Sequence, residues 1–255
     1  MNCHNGEKYL QEALFSVINQ TYRNWELIFF DNASNDRSSE IVKKFKDKRI
    51  RYFYSNFINL GSARKIALTK CKGDFIAFLD CDDYWNKNKL KFQIKDLLKY
   101  PGYGISFTNS YFFNKKRKKK LYSSAPYDGQ IFEKLLKKYY ISFDTVLIRN
   151  IHLQKLKSKF DQRLNIVHDL DLLIRLSMST KFRYLNKCLS WWRIHEDSFS
   201  KNKISTINSE KILFLNKLKK LLKKSKNKKK YLNLFRENIL QSQIEEYLIN
   251  KNIKK

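Results

Sequence analysis

The sequence predicts an α/β domain with a mainly parallel sheet flanked by helices on both faces. From residue 5 to residue 83, segments of helical period alternate with short apolar segments of strand type, the order that builds βαβ units. Two of the predicted strands end on acids, Asp31 and Asp80, and ligands of open α/β sheets bind at the carboxyl ends of strands. The chain has 255 residues, 42% of them hydrophobic, enough for one large domain with or without a helical appendage.

The elements follow in order. The turn at Asn5-Gly6 opens a helix on which Leu10, Leu14, Val17 and Ile18 share a face. No strand is predicted before it, because the chain opens directly with Met-Asn-Cys-His-Asn-Gly. Residues 25–30 read as a buried strand that runs into the polar loop from Asp31 to Asp36. A short helix follows through Ile41, Val42 and Phe45. Arg49 to Tyr54 predicts a second strand. Gly61-Ser62 opens a helix with Arg64 in its first turn, and Asp74 to Leu79 is a third strand ending on Asp80. Lys87 to Tyr100 predicts a helix stopped by Pro101-Gly102, and Tyr103 to Phe113 a strand. The basic run Lys115 to Lys120 reads as an exposed hairpin or loop. A helix over 131–139, a strand over 145–149, a helix over 168–178 and an extended segment over 182–194 come next. Beyond residue 203 the texture turns Lys-rich. Leu215, Leu218 and Leu222 share one helix face there, and Leu240, Ile244 and Leu248 another, so a basic helical hairpin is expected.

The net charge is +29. Nucleic acid, an anionic membrane surface and anionic small substrates are all consistent with it, and so is a coding bias toward Lys, Asn and Ile. The four cysteines, at 3, 71, 81 and 188, lack zinc-ribbon or disulfide-framework spacing, which points to reduced thiols in the cytoplasm. There is no signal-peptide pattern, and no apolar run approaches the ~18 residues of a membrane span.

The strand ends carry the candidate chemistry. Asp80-Cys81-Asp82-Asp83 puts three carboxylates in four residues. Their repulsion favours a counter-cation, and hard oxygen donors select Mg²⁺ or Mn²⁺. A solvated acidic loop fits the same spacing, as does a helix N-cap at Asp83. Cys81 between the acids reads as a small packed side chain ahead of a soft metal ligand. Asp31-Asn32 suits hydrogen bonding to a base or ribose, or simple turn formation. Gly61-Ser62-Ala63-Arg64 suits phosphate binding at a helix N-terminus, or a surface arginine.

Taken in order, the motifs are more specific than any one alone. Asn5-Gly6-Glu7, Val17 to Tyr22, the strand ending in Asp31, Gly61 to Arg64 and Gly73 to Asp83 together resemble the family 2 glycosyltransferases of GT-A fold. The resemblance is dense from residue 2 to about 100. It resumes at His168-Asp169-Leu170-Asp171-Leu172 and at Trp192 to Ser198. It implies that Asn5 and Glu7 lie at the nucleotide, with Glu7 near the ribose or base, that Asp31, with Asn32 beside it, recognises the base, and that Arg64 approaches the base or diphosphate. It further implies that Asp80 touches the ribose or metal, that Asp82 is the direct metal ligand, that Asp169 is the catalytic base, and that His195 completes the metal or diphosphate site with Ser198 nearby. Two departures stand out. His168 replaces the family's usual Glu, which suggests a charge change near neutral pH. The interior strand that precedes the Asn-Gly-Glu turn is missing, so either the start is misassigned, the chain is a fragment, or the sheet is repaired some other way.

The expectation is therefore a GT-A-like catalytic domain over 1–200, its nucleotide-binding half at about 1–100 and its acceptor half at about 101–200, followed by a basic helical tail over 201–255. The expected activity is metal-dependent inverting transfer of a sugar from a UDP- or dTDP-linked donor to a glycan or lipid-linked acceptor in surface polysaccharide synthesis. The cofactor is Mn²⁺ or Mg²⁺. The expected site is the cytoplasm, peripherally at an anionic inner membrane face, with the tail's leucine stripe packed on the domain or on the interface. No nucleic-acid partner is expected. The competing readings are a basic nucleic-acid-binding protein and an inactive, truncated glycosyltransferase-like protein.

Overall fold

The computed structural model describes residues 1–198 and 203–253. A parallel sheet of three strands forms first, in the order β1 (Asn2–Cys3), β2 (Leu27–Asn32), β3 (Ile50–Ser55). Every residue of β2 is buried, and the alternation of a strand explains why both faces are apolar. Leu27 and Phe29 pack with Leu10 and Leu14 of α1 (Glu7–Ile18). Ile28 and Phe30 pack with Ala63 and Ala67 of α3 (Leu60–Thr69). Helix α2 (Ser38–Lys44) links β2 to β3.

Strand β1 corrects the expectation that nothing precedes the first helix. Asn2 and Cys3 pair in parallel with Phe30 and Asp31, and Asn2 also bridges to Asp80. Two residues thus stand between the strand ends that carry Asp31 and Asp80. They supply backbone partners at the two strand ends that carry these acids. Further down the same line, a cavity of about 420 Å³ separates Leu27 and Ile28 from β4 (Phe75–Ala77).

The second sheet is mixed. Its order is β4, β8 (Leu147–Arg149), β6 (Tyr103–Phe113), β9 (Lys181–Arg193), β5 (Tyr84–Trp85), with β7 (Lys118–Lys120) paired to β6. Only β6 and β9 run parallel; the other pairs are antiparallel. The parallel pairing predicted for the sheet therefore holds throughout the first sheet and, in the second, for β6 with β9 alone. The basic run closes a hairpin in which Asn114 Oδ1 accepts the N–H groups of Lys116 and Arg117, and Lys118 to Lys120 pair with Phe113 to Tyr111. Around this sheet lie α4 (Lys89–Lys99), α5 (Phe132–Lys137), α6 (Asn150–Gln154) and α7 (His168–Ser177).

Helices α8 (Ile204–Leu221) and α9 (Lys228–Ile253) pack on each other and into the core of the second sheet. Phe214, Leu218, Leu222, Leu232, Phe235 and Ile239 share that core with Phe107, Leu172 and Phe182. Each such side chain contributes about 1.5–3 kcal/mol on burial, so these helices are firmly held. Leu218 and Leu222 face inward as the stripe on α8 predicts. On α9 the stripe does not pack on the domain, the first of its two expected positions: Leu240, Ile244 and Leu248 are exposed, and the buried face runs through Leu232, Phe235 and Ile239. No helix among the described residues is long and apolar enough to cross a membrane.

Candidate active site

A cleft of about 610 Å³ opens at the carboxyl ends of β1 and β4. Arg64, Asp80, Asp82, Asp83 and Asp169 line it together, although they are scattered over more than a hundred positions of sequence.

Arg64 is 5% exposed, so it is not a surface arginine. Its guanidinium donates to Asp80 Oδ1 and to His168 Nε2, and lies 5.0 Å from the Phe143 ring centroid. The start of α3 is clamped to the loop before α7. Asn59 Oδ1 accepts from Ser62 N (2.8 Å), and Asn165 Oδ1 accepts from Leu60 N (2.8 Å). A Cβ on Gly61 would meet Leu164 O at 2.4 Å, so only glycine allows this approach. The first-turn N–H groups of Leu60 and Ser62 are thus already partnered, and the donor that α3 offers to the cleft is Arg64.

His168 is buried, and its Nδ1–H donates to Asn165 O at 3.1 Å, leaving Nε2 to accept from Arg64. Burial, reinforced by the Arg64 charge, holds its pKa well below the ordinary imidazole value. This corrects the expected charge change near neutrality: the ring stays neutral and serves as a fixed acceptor that orients Arg64.

The acidic cluster resolves into separate roles. Asp80 pairs with Arg64. Cys81 is tucked between Cys3 and Gly6; a Cβ on Gly6 would lie 2.7 Å from Cys3 Sγ and 2.8 Å from Cys81 Sγ. Asp82 Oδ2 accepts from His195 Nε2 at 2.9 Å. Asp83 is not a helix cap, since β5 intervenes before α4. It is buried and accepts the Arg193 backbone N–H at 2.8 Å, tying the end of β9 to the cluster. Burial, with repulsion from Asp80, raises the pKa of Asp82. Burial, with repulsion from Asp82 and Asp144, raises that of Asp83 well above the carboxylate range.

These groups fit a hard divalent cation. Two donors in adjacent positions on an octahedral ion, each at about 2.1 Å, stand about 3.0 Å apart, and the separation of Asp82 Oδ2 from His195 Nε2 is 2.9 Å. His195 Nδ1 is buried and has no hydrogen-bond partner among the described residues, with Asp197 Oδ2 at 4.0 Å. That nitrogen would carry the proton if Nε2 gave its lone pair to a metal. Among the described residues no three acidic, histidine or cysteine side chains cluster for a metal. Two protein donors with the remainder from phosphate oxygens and water is the usual way such ions sit beside a diphosphate.

Asp169 stands in the first turn of α7. Its Oδ2 accepts from the Tyr139 hydroxyl at 3.0 Å and its Oδ1 from Leu170 N at 2.8 Å. Burial raises its pKa, and the Arg64 charge opposes that rise. Before this turn, Glu210 of α8 accepts the backbone N–H groups of Asn165 (2.9 Å), Ile166 (2.8 Å) and Val167 (2.9 Å). Nothing in the sequence flagged Glu210, an isolated acid in a Lys-rich helix, nor Asp144, which lines the cleft beside Asp83.

Asn5, Glu7, Asp31 and Asn32 are not among the residues lining this cleft. They knit the neighbouring strand ends together. Asp31 is fully buried and accepts from Ser34 N (2.9 Å) and the Tyr52 hydroxyl (2.6 Å). Asn32 pairs with both backbone groups of Ile58 (2.7 and 3.0 Å). Asn5 Oδ1 accepts from Asn35 N (2.9 Å), and Glu7 Oε2 accepts from Arg37 N (3.0 Å). Ser198 lines the cleft, and its Oγ accepts the His195 N–H at 3.3 Å.

The fold, with its acids at adjoining strand ends, is that of a GT-A glycosyltransferase. The family model described as Glycosyl transferase family 2 matches residues 1–157. The chain belongs to that family and is a glycosyltransferase. It is 29% identical over 205 residues to the UDP-Glc:alpha-D-GlcNAc-diphosphoundecaprenol beta-1,3-glucosyltransferase WfaP of Escherichia coli, covering 80% of this chain and 79% of that one. Among solved structures it is similar to S. aureus TarS 1-349 in complex with UDP-GlcNAc, at a TM-score of 0.74 and 18% identity over 96% of this chain and 71% of that one. It is also similar to the Pyrobaculum calidifontis mannosyltransferase PcManGT in complex with GDP-Man and Mn2+, at a TM-score of 0.65 and 14% identity over 93% of this chain and 68% of that one.

Proposed function

We propose that this protein catalyses metal-dependent, inverting transfer of a sugar from a UDP- or dTDP-linked donor to a glycan or lipid-linked acceptor in surface polysaccharide synthesis. The observation that carries the reading is the cleft lined together by Arg64, Asp80, Asp82 and Asp169, with His195 hydrogen-bonded to Asp82. The activity in the Escherichia coli relative's name, and the UDP-sugar in the TarS complex, support a UDP-linked donor.

Each residue then has a task. Asn5 and Glu7 stand at the accessible strand ends that receive the nucleoside, while Asp31 and Asn32, buried behind them, brace those ends through Ser34, Tyr52 and Ile58. Asp80, oriented by Arg64, faces the ribose and diphosphate. A Mg²⁺ or Mn²⁺ ion held by Asp82 and His195 would neutralise charge on the leaving diphosphate. Asp169 takes the proton of the acceptor hydroxyl as its oxygen attacks the anomeric carbon. The bond from that carbon to phosphate oxygen breaks, and its electron pair leaves with the nucleoside diphosphate. A raised pKa suits Asp169 to this task, because a base works best with a proton affinity near the operating pH. Attack from the face opposite the leaving group inverts the anomeric centre.

A peripheral membrane position is part of this proposal. Leu240, Ile244, Tyr247 and Leu248 are all at least half exposed on α9, in a chain of net charge +29. An apolar stripe suits a lipid surface, and the Lys-rich end of α8 with the Lys228–Lys230 start of α9 supplies the attraction to anionic headgroups. Pelleting with anionic vesicles should weaken with salt and with Ile244→Asp/Leu248→Asp; equal pelleting of that variant would remove the idea.

The transfer reading is tested by incubating the purified chain with UDP-glucose, UDP-N-acetylglucosamine and a dTDP-sugar, with and without Mn²⁺. Mn²⁺-dependent release of nucleoside diphosphate from at least one donor is expected, and an inverted anomer by NMR in any product. No release from any donor, together with tight DNA binding, would favour the nucleic-acid reading instead.

A further inference from the structure

Part of the cleft wall is built by the C-terminal helices. Asn238, Gln241, Ser242 and Glu245 of α9 line it, and so does Lys211 of α8. Positions 238, 241, 242 and 245 follow the i, i+3, i+4, i+7 rule, so they form one helix face. That face is polar, and it lies between the buried side bearing Phe235 and Ile239 and the exposed apolar stripe, with Asn238 and Ser242 themselves buried.

Asn238 is the informative member. It is 7% exposed. Its Nδ2 donates to Lys137 O at 3.1 Å, which fixes the amide plane. Its Oδ1 is buried and has no hydrogen-bond partner among the described residues. A buried acceptor left unmade costs free energy unless something satisfies it. Lys137 lies two residues before Tyr139, whose hydroxyl donates to Asp169. The Asn238 amide is therefore coupled by one short stretch of backbone to the residue that orients the base. Trp192, 36% exposed on β9, lines the same cleft and offers an apolar ring face of the kind that stacks on the C–H face of a sugar.

We propose that this face of α9, with Lys211, is the acceptor-sugar subsite. It would grip the hydroxyls of a saccharide through the free Asn238 carbonyl, the Gln241 amide, the Ser242 hydroxyl and the Glu245 carboxylate, while Trp192 supports the ring. The inference rests on the transferase reading above, and it makes α9 the element that sets acceptor choice. A mixed set of neutral and charged donors and acceptors around one aromatic matches a polyol better than an apolar or a purely anionic ligand.

The test uses the full chain, the donor that supports turnover, and four synthetic acceptors: short-alkyl diphosphates of α-linked N-acetylglucosamine, N-acetylgalactosamine, glucose and galactose. Gln241→Ala and Glu245→Ala are the variants, because both positions are exposed and tolerate change. Two quantities are read: release of nucleoside diphosphate with water as the only acceptor, and the acceptor KM. The acceptor KM should rise by about tenfold per lost hydrogen bond, with acceptor-free hydrolysis within about twofold of wild type. An unchanged KM overturns the proposal. So does a parallel fall in hydrolysis and transfer, which would mean that α9 only supports the fold, and so does wild-type hydrolysis without transfer to any of the four sugars. Absence of hydrolysis in the wild type would instead overturn the donor reading, and the subsite with it.

Discussion

Replacing Glu210 with alanine should destabilise the protein and disable the cleft together. The Glu210 carboxylate accepts three backbone N–H groups at 2.8–2.9 Å, from the residues that lead into the helix of His168 and Asp169. A hydrogen bond to a charged group contributes about 1.5–3 kcal/mol. Val167 is buried, but Asn165 and Ile166 are only partly so, and water can re-satisfy part of what those two lose. The negative charge at the start of α7 adds about 0.3–1 kcal/mol against the helix dipole. The expected loss for Glu210→Ala is therefore about 3–5 kcal/mol, a large share of a typical domain's stability. Glu210→Gln keeps one good acceptor and should lose about half as much. Urea denaturation measures both values. Nucleotide release at a temperature where the variants stay folded should fall about 10- to 100-fold, since small misplacements of a catalytic group are costly. A loss below about 1 kcal/mol, or full activity in the alanine variant, would refute the claim that α8 holds the base in place.

Two further outcomes follow from the buried charges. Asp169→Asn should cut kcat by about 10²–10⁴ while leaving UDP affinity intact; and because burial raises the Asp169 pKa, the acid limb of kcat/KM should lie above the ordinary carboxylate range. Lys89 is wholly buried against Thr145 O (3.1 Å) and Gln93, and burial lowers its pKa from 10.5 to about 7. Between those values the unfolded chain binds the extra proton, so stability should rise with pH by about 1.4 kcal/mol per unit above pH 7 and be flat below it. Denaturation midpoints at pH 7.5 and 9 should show that slope in the wild type and its loss in Lys89→Met.

Much of the first half was legible because its signals are local. The apolar run before Asp31 and the acids at the strand ends follow from period and turn chemistry, and the structure places strands where those signals put them. What escaped were features set by distant partners. Strands β1 and β5 have two residues each, too few for any periodicity, and exist because neighbouring strand ends offer hydrogen bonds. The antiparallel pairings of the second sheet are likewise invisible along the chain. On α9 apolar residues occupy more than one face, so the spacing of Leu240, Ile244 and Leu248 was a real helical stripe that packing did not choose. The side bearing Leu232, Phe235 and Ile239 was chosen instead, by the core around Phe214. In the site, Asp83 resembled a helix cap because the strand that separates it from α4 is so short. His168 looked titratable because its burial depends on Phe143 and Phe160, whose rings lie 6.2 and 5.8 Å away. Glu210 and Asp144 gave no signal, since each earns its role from residues more than forty positions away.

The most direct test of the account is calorimetric titration of UDP into the wild type, Asp82→Asn and His195→Ala, with and without Mn²⁺. Mn²⁺ should tighten UDP binding to the wild type by at least about tenfold, or 1.4 kcal/mol, and this gain should vanish in both variants while metal-free binding is unchanged. UDP affinity that is the same with and without Mn²⁺, or a full Mn²⁺ gain in Asp82→Asn, would contradict it.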